Sequence, residues 1–463
     1  MKTRNLYIVT YGCQMNVYDS TCLGTLMKKR GWKLAEKPEG ADFIFLNTCS
    51  IREKAARRVI GHLNRLKALK QKNPALILGV GGCVAEQEGQ KLLKQVPWLN
   101  LVVGPGRLGE IPQLLENLTS DMPPIVLSGQ APLMTEPAAS EPQDHRALAS
   151  FKDFEPGPSP ISSFLTIMTG CDNYCAYCVV PYLRGRETSR PKEEILAEAR
   201  SLVNRGSLEL TLLGQNVNSY GRPGHRGGQD FVELLTEVAN IPHLERLRFT
   251  TSHPKDFPPA LVDLFGQLPN LCEHLHLPLQ AGSDRILAAM GRRYDSAHYL
   301  WLVSALRAAC PNLALSTDII VGFPGETEQE FNQTVKMLES IGFDFIFSFK
   351  YSDRPMTKAN LLPDKIEEKE KQRRLAHLQA VQKAITLEKH QALIGQSLEV
   401  LVDGFGRNQG QLSGRSRDLK LVHFDGPESL MGQLVMVKIL EAWPVSLIGE
   451  LNSNQKKALQ NLN

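Results

Sequence analysis

Cys171, Cys175 and Cys178 form a Cys-x3-Cys-x2-Cys run that follows an apolar stretch, Phe164 to Met168. Thiolates this close in sequence can hold three irons of a cubane iron–sulfur cluster and leave the fourth iron without a ligand from the motif. An open iron is a place for chemistry, whereas a closed set of four cysteines usually carries electrons. Zinc is the competing reading. It wants four ligands, typically as two Cys-x2-Cys pairs, and only one x2 pair is present here.

Cys13, Cys49 and Cys83 carry no spacing motif, but each lies just past a predicted strand: Val9-Thr10-Tyr11-Gly12-Cys13, Phe45-Leu46-Asn47-Thr48-Cys49 and Val80-Gly81-Gly82-Cys83. Ligands of open α/β sheets bind outside the carboxyl ends of the strands, so three such ends can bring three thiolates to one point. The flanking glycines are expected to let the backbone approach an inorganic cluster. Three buried structural thiols are the alternative, and geometry alone leaves it open. Cys22, Cys272 and Cys310 sit in apolar or helical surroundings and read as buried small hydrophobes.

Three pieces must position these residues. The first, 3–120, alternates strands (Leu6–Thr10, Phe43–Leu46, Leu76–Val80, Leu101–Val103) with helical patterns and predicts an open parallel sheet. A proline-rich stretch, 121–156, reads as a linker. The second piece, 157–389, offers strands at Phe164–Met168, Leu208–Leu213, Leu247–Thr250, Leu275–Leu277, Leu315–Val321 and Phe343–Phe349. Helical segments separate them, including Glu193–Asn204 and Phe331–Ile341, the latter behind a capping box of Thr327 and Glu330. A charged helix from Ile366 to about Leu393 closes the piece. This pattern predicts a partial (β/α) barrel, whose chemistry belongs at the carboxyl ends of the strands. Gln215, Asn216, Ser252 and Gln280 fall at those ends, where each could bind a cofactor or merely stabilise a loop. The third piece, 392–455, has short glycine-broken strands (Leu398–Val402, Leu419–Phe424, Leu434–Ile439, Ser446–Leu451) and predicts a small β-barrel.

Charge adds less. The chain of 463 residues is +4 overall, which decides little about partners. From Arg52 to Lys72, eight Lys or Arg face one acid, a strip that fits either a solvated helix face or a phosphate-backbone footprint. Arg184 and Arg186 could extend that footprint or pair with local carboxylates. The terminal piece is net negative, and only its 407–420 loop, with four basic residues and one acid, favours RNA. No apolar run is long enough to span a membrane, and nine cysteines without a secretory signal point to a reducing cytoplasm and metal binding.

The Cys171–Cys178 run resembles the signature of radical S-adenosylmethionine enzymes. With Tyr11-Gly12-Cys13-Gln14-Met15-Asn16, Asn47-Thr48-Cys49-Ser50-Ile51-Arg52 and Gly81-Gly82-Cys83, the resemblance narrows to the methylthiotransferases. Gln14-Met15-Asn16 and the string from Cys178 to Glu187 are most similar to the branch that makes 2-methylthio-N6-dimethylallyladenosine in tRNA. Leu213 to Tyr220 and His276 to Ser283 also match. Two positions depart from the family: Met356 replaces a usual glycine, which puts the shape of one loop in doubt, and Ala281 replaces a usual serine.

The resemblance implies an N-terminal methylthiotransferase domain, a radical core and a C-terminal TRAM barrel that binds RNA. It implies two [4Fe-4S] clusters, one on Cys171, Cys175 and Cys178 that chelates S-adenosylmethionine, the other on Cys13, Cys49 and Cys83 that gives up sulfur. One electron passed to the sulfonium would release methionine and a 5′-deoxyadenosyl radical, and a second S-adenosylmethionine would supply the methyl group. Gln215, Asn216, Ser252 and Gln280 are the expected contacts to S-adenosylmethionine. The expected partners are a tRNA anticodon stem-loop carrying a prenylated adenosine and a reductant such as flavodoxin or ferredoxin, acting on a cytoplasmic monomer. Methylthiolation of threonylcarbamoyl-adenosine or of a ribosomal protein is the nearest alternative. A non-catalytic RNA-binding iron–sulfur sensor is the alternative from another class.

Overall fold

The computed structural model describes residues 4–50, 53–128, 160–221 and 231–452, with backbone alone at 53–57. Most of the expected linker therefore lies outside the described residues, as do Arg52 and the side chains of Lys54 and Arg57. The chain divides into two compact units. One comprises residues 1–157, 164–172 and 179–198; the other comprises 158–163, 173–178 and 199–463.

In the first unit, strands β1 (Asn5–Tyr11), β2 (Lys33–Leu34), β3 (Phe43–Thr48), β4 (Ile77–Gly82), β5 (Leu101–Val103) and β6 (Ile125–Leu127) form one parallel sheet in the order β2-β1-β3-β4-β5-β6. β3 and β4 are buried along their whole length, as expected for strands covered on both faces. Helices α1 (Gln14–Lys29), α2 (Glu53–Lys72) and α3 (Cys83–Glu88) follow β1, β3 and β4 respectively. The sheet outruns the boundary expected at residue 120: β6 pairs with β5 from within the proline-rich stretch. Three residues beside Pro123 and Pro124 are too few to show a period, which hid this strand in the sequence.

The segments 164–172 and 179–198 group with this unit although they were expected in the radical core. β7 (Ser162–Thr166) leads into β8 (Met168–Thr169), which pairs antiparallel with β9 (Thr188–Ser189). A buried network explains the grouping. Arg190 donates to Glu198 at 2.8 Å and to the Thr166 carbonyl at 2.6 Å, and Tyr18 of α1 donates to Glu198 at 3.0 Å.

In the second unit, β10 (Glu209–Leu213), β11 (Arg246–Phe249), β12 (His274–His276), β13 (Ala314–Val321) and β14 (Phe345–Lys350) run parallel and neighbour one another in chain order. β11 and β12 belong to separate three-stranded sheets, and β11 meets the segment just before β12 through a single bridge, Leu247 to Leu271. Chain-order parallel strands joined by helices make the predicted open (β/α) barrel. The capping box at Thr327 and Glu330 is present and starts the helix Glu328–Ile341. The closing helix Glu368–Gln391 lies on β14, where Gln379 bonds Ser348 at 3.1 Å and Gln382 bonds the Phe343 carbonyl at 2.8 Å.

β15 (Ser397–Phe405), β16 (Gln411–Ser416), β17 (Leu421–Asp425), β18 (Leu434–Ala442) and β19 (Leu447–Leu451) close a barrel in the order β15-β16-β17-β19-β18. β16 went unpredicted because its Ser-Gly-Arg-Ser core has little β propensity. Its Gly414 is required by packing, since a Cβ there would lie 2.2 Å from the Leu401 carbonyl oxygen.

The barrel is bolted to the radical core through buried arginines of β11. Arg246 is fully buried and donates to the Arg415 carbonyl at 2.7 Å and to Glu399 at 2.9 Å. Arg248 donates to Glu209 at 2.8 Å and to the Arg417 carbonyl at 2.7 Å. Arg417 answers with a forked pair to Glu273 at 2.8 and 2.9 Å, and Lys420 reaches Asp344 at 3.4 Å. Two of the four loop cations that favoured RNA therefore hold the barrel in place.

Candidate cluster and cofactor sites

β1, β3 and β4 are adjacent, and Cys13, Cys49 and Cys83 stand at their carboxyl ends, as the strand pattern predicts. Cys13 and Cys49 are within hydrogen-bonding reach. That contact, opposed by burial and helped by the Arg184 guanidinium, lowers the Cys13 thiol to about 6. Cys83 is pushed up by burial and drawn back by Arg184, which hydrogen bonds it. Arg184 is itself buried and paired with buried Asp19 at 2.9 Å. Of the two readings open for Arg184, a phosphate footprint or a carboxylate pair, the structure shows the pair, and it places that pair beside the thiol group. Arg186 pairs with Asp172 at 3.0 Å.

The flanking glycines are required by the protein's own packing. A Cβ on Gly12 would lie 2.6 Å from Asn16 Oδ1, and one on Gly82 2.3 Å from the Thr48 carbonyl oxygen. The asparagine pair they accommodate locks the three strand ends together: Asn16 Nδ2 donates to Asn47 Oδ1 at 2.9 Å, Asn47 Nδ2 donates to the Asn16 carbonyl at 2.9 Å, and Thr48 Oγ1 donates to the Gly81 carbonyl at 2.6 Å.

Among the described residues, no three His, Cys, Asp or Glu side chains converge as ligands of one metal ion. A cubane does not ask for that, because its three ligand irons are separate atoms and its thiolates stand apart. A depressed thiol, a neighbouring buried cation and the unpartnered buried hydroxyl of Ser50 beside Cys49 fit such a group.

Backbone hydrogen bonds fix each part of the second cysteine run within its own unit. The Cys171 N–H bonds the Gly185 carbonyl at 3.2 Å, within the first unit. In the second unit, the Ala176 N–H bonds the Met290 carbonyl at 2.8 Å, and the Ala176 carbonyl accepts from the Ala359 N–H at 2.8 Å. Tyr174 adopts a left-handed backbone, φ 47°, in the x3 segment. Arg292, which sequence reasoning missed, is buried and directs Nη1 at Cys175 Sγ at 3.4 Å. Its only signal was a basic residue following Met290-Gly291 at a helix end.

At the strand ends of the open barrel, Gln215 Oε1, Asn216 Oδ1, Ser252 Oγ and Gln280 Oε1 are all buried without a hydrogen-bond partner. Four orphaned oxygens among four sequence candidates are a demand for a polar ligand, since each costs about 1–3 kcal/mol unpaired. S-adenosylmethionine, with an ammonium and ribose hydroxyls to donate, fits them. The loops are prepared for it: Asn218 ties to the His253 backbone at 2.9 and 3.0 Å, Asn216 Nδ2 donates to Asp256 at 2.8 Å, and Thr251 and Gln280 hold left-handed backbones at φ 70° and 75°.

Comparison with known proteins finds three family models along the chain: the uncharacterized protein family UPF0004 at residues 5–104, the radical SAM superfamily at 165–338 and the TRAM domain at 391–451. The tRNA-2-methylthio-N(6)-dimethylallyladenosine synthase of Geobacter metallireducens is 46% identical over 96% of this chain and 98% of its own length. That of Syntrophus aciditrophicus is 45% identical over 97% of this chain and 94% of its own. The solved radical S-adenosylmethionine methyltransferase TsrM from Kitasatospora setae shares the fold with a TM-score of 0.53 at 15% identity, covering 89% of this chain and 77% of that one.

Proposed function

The chain belongs to the tRNA-2-methylthio-N(6)-dimethylallyladenosine synthase family, and from that membership we propose how its residues divide the work. The enzyme adds a methylthio group at C2 of N6-dimethylallyladenosine beside the tRNA anticodon, using radical chemistry. Cys171, Cys175 and Cys178 hold one [4Fe-4S] cluster, and Cys13, Cys49 and Cys83 hold a second. When bound, the first supplies the electron that cleaves S-adenosylmethionine and the second supplies sulfur.

The placement of Cys13, Cys49 and Cys83 at three adjacent strand ends, beside Arg184, carries this reading. Radical cleavage alone adds no sulfur, and this group is what turns it into methylthiolation. Arg184 offsets the negative charge of thiolates in a buried setting, and Asp19 holds Arg184 in place. Gln215, Asn216, Ser252 and Gln280 orient S-adenosylmethionine by accepting or exchanging hydrogen bonds at the strand ends.

The TRAM barrel contacts tRNA through what docking leaves exposed: Arg407 and Arg415, with Phe405 at 63% exposure available to stack on a base. On α2, Arg58 and Arg65 are exposed, whereas Lys67 covers Trp98 and Lys70 binds Asn100. The protein acts as a monomer supplied by a flavodoxin or ferredoxin.

The test is anaerobic reconstitution of two variants with prenylated tRNA. Cys171→Ala should abolish formation of 5′-deoxyadenosine. Cys13→Ala should keep that cleavage and lose sulfur insertion. Undiminished methylthiolation in either variant rejects the division of labour.

A further inference from the structure

Arg292 poses a problem of charge. Its residue is only 4% exposed, and no carboxylate pairs with it among the described residues. Its donors go to neutral oxygens and one sulfur. Nη2 reaches the Pro278 carbonyl at 3.0 Å, Nε the Tyr294 hydroxyl at 3.1 Å, and Nη1 the Tyr177 hydroxyl at 3.5 Å and Cys175 Sγ at 3.4 Å. The Tyr294 hydroxyl spends its proton on the Pro278 and Leu279 carbonyls, so it stays a phenol. A guanidinium without a counter-charge in the interior is costly. The one cluster-ligand atom its donors reach is Cys175 Sγ.

The contrast with Arg184 is informative. Arg184 also touches a cysteine of its site, but a carboxylate, Asp19, pairs with it at 2.9 Å. Arg292 brings a net positive charge. It is placed by the same turn that fixes the cysteine loop, because the Met290 carbonyl accepts the Ala176 N–H and Gly291 turns the chain at φ 74°.

We infer that Arg292 sets the electron affinity of the cluster on Cys171, Cys175 and Cys178, through its charge and an N–H···S hydrogen bond to Cys175. The inference rests on the cluster assignment above. Uptake of one electron makes the cluster–thiolate unit more negative, and a cation at hydrogen-bond distance in a dry site stabilises that state over the oxidised one. Arg292 is thus a positioning and tuning residue rather than a catalytic one.

The experiment is a redox titration with dithionite, followed by electron paramagnetic resonance, on the full chain. A Cys13→Ala, Cys49→Ala, Cys83→Ala background leaves one cluster to observe. Arg292→Met should keep the iron content and lower the equilibrium constant for reduction at least tenfold, a fall of ~59 mV for one electron. Arg292→Lys, which keeps the charge and loses the planar fork, should move the potential the same way by less. An unmoved potential in iron-loaded Arg292→Met overturns the inference. If Arg292→Met does not load, Arg292→Lys decides, and an unmoved potential there overturns it equally. Absence of iron from the background protein would instead reject the cluster assignment on which the inference stands.

Discussion

Met356 shows how a single residue can depart from its family and leave the loop intact. Its backbone sits at φ 70°, the left-handed region that glycine enters freely, and its side chain is half exposed. The loop that the substitution put in doubt still presents the Ala359 N–H to the Ala176 carbonyl. A left-handed L-residue costs about 1–2 kcal/mol, partly offset by the chain entropy that glycine adds. Met356→Gly should therefore raise stability, by at most about 1 kcal/mol, in thermal or denaturant unfolding; a lower midpoint would contradict the strain. Ala281 needs no such account, because it packs fully buried among Ile286, Leu287, Met290 and Phe323. Glu330 offers a test by pH. Arg285 first, then Thr327 and Ser283, hold its carboxyl at about 2 against an ordinary 4.5. A depressed carboxyl stabilises the fold fully above the ordinary value and loses that contribution as pH falls through about 2. Glu330→Gln should cost on the order of 1 kcal/mol at neutral pH, as losing a helix cap does, with the difference from the parent vanishing toward pH 2. The six cysteines and four strand-end oxygens were legible because their types announce chemistry. Arg184 and Arg292 were not, because an arginine buried against a sulfur looks in sequence like any surface cation.

At the scale of elements, the sequence located the long strands and helices to within a few residues, since β3, β4 and β13 each carry an apolar run and are buried throughout or nearly so. β6 and β16 were missed because one is three residues long and the other carries its order in Gly414 and Ser416 rather than in apolar residues. Charge runs were the least reliable guide. The 407–420 loop looked like an RNA contact, but Arg417 is committed to Glu273 and Lys420 to Asp344 and Asp418. Arg417→Ala should leave the slope of log affinity for tRNA against log salt unchanged, whereas Arg65→Ala on α2 should reduce it by about one phosphate contact. Filter binding across a salt series measures both. A full-contact loss from Arg417→Ala would return that residue to the RNA surface.

For the whole molecule, the order of three pieces was readable, but the contacts that group its segments were not. Phe164–Asp172 and Val179–Glu198 group with the N-terminal sheet, joined to it by Tyr18, Glu198 and Arg190 and by Arg184 with Asp19, contacts between residues over a hundred positions apart. Long-range pairing of buried polar groups leaves no periodic trace, so this grouping is not visible in local pattern, even though the radical SAM family model at 165–338 covers both segments. The same contacts place Arg184, only six residues beyond Cys178, against Cys83. The central claim is that one chain holds two clusters of separate use. Its most direct measure is iron and sulfide per chain after anaerobic reconstitution, with Mössbauer spectra. The account predicts about eight irons in the parent, and about four in either the Cys13→Ala, Cys49→Ala, Cys83→Ala protein or the Cys171→Ala, Cys175→Ala, Cys178→Ala protein. About four in the parent, unchanged by removing the first three cysteines, would contradict it.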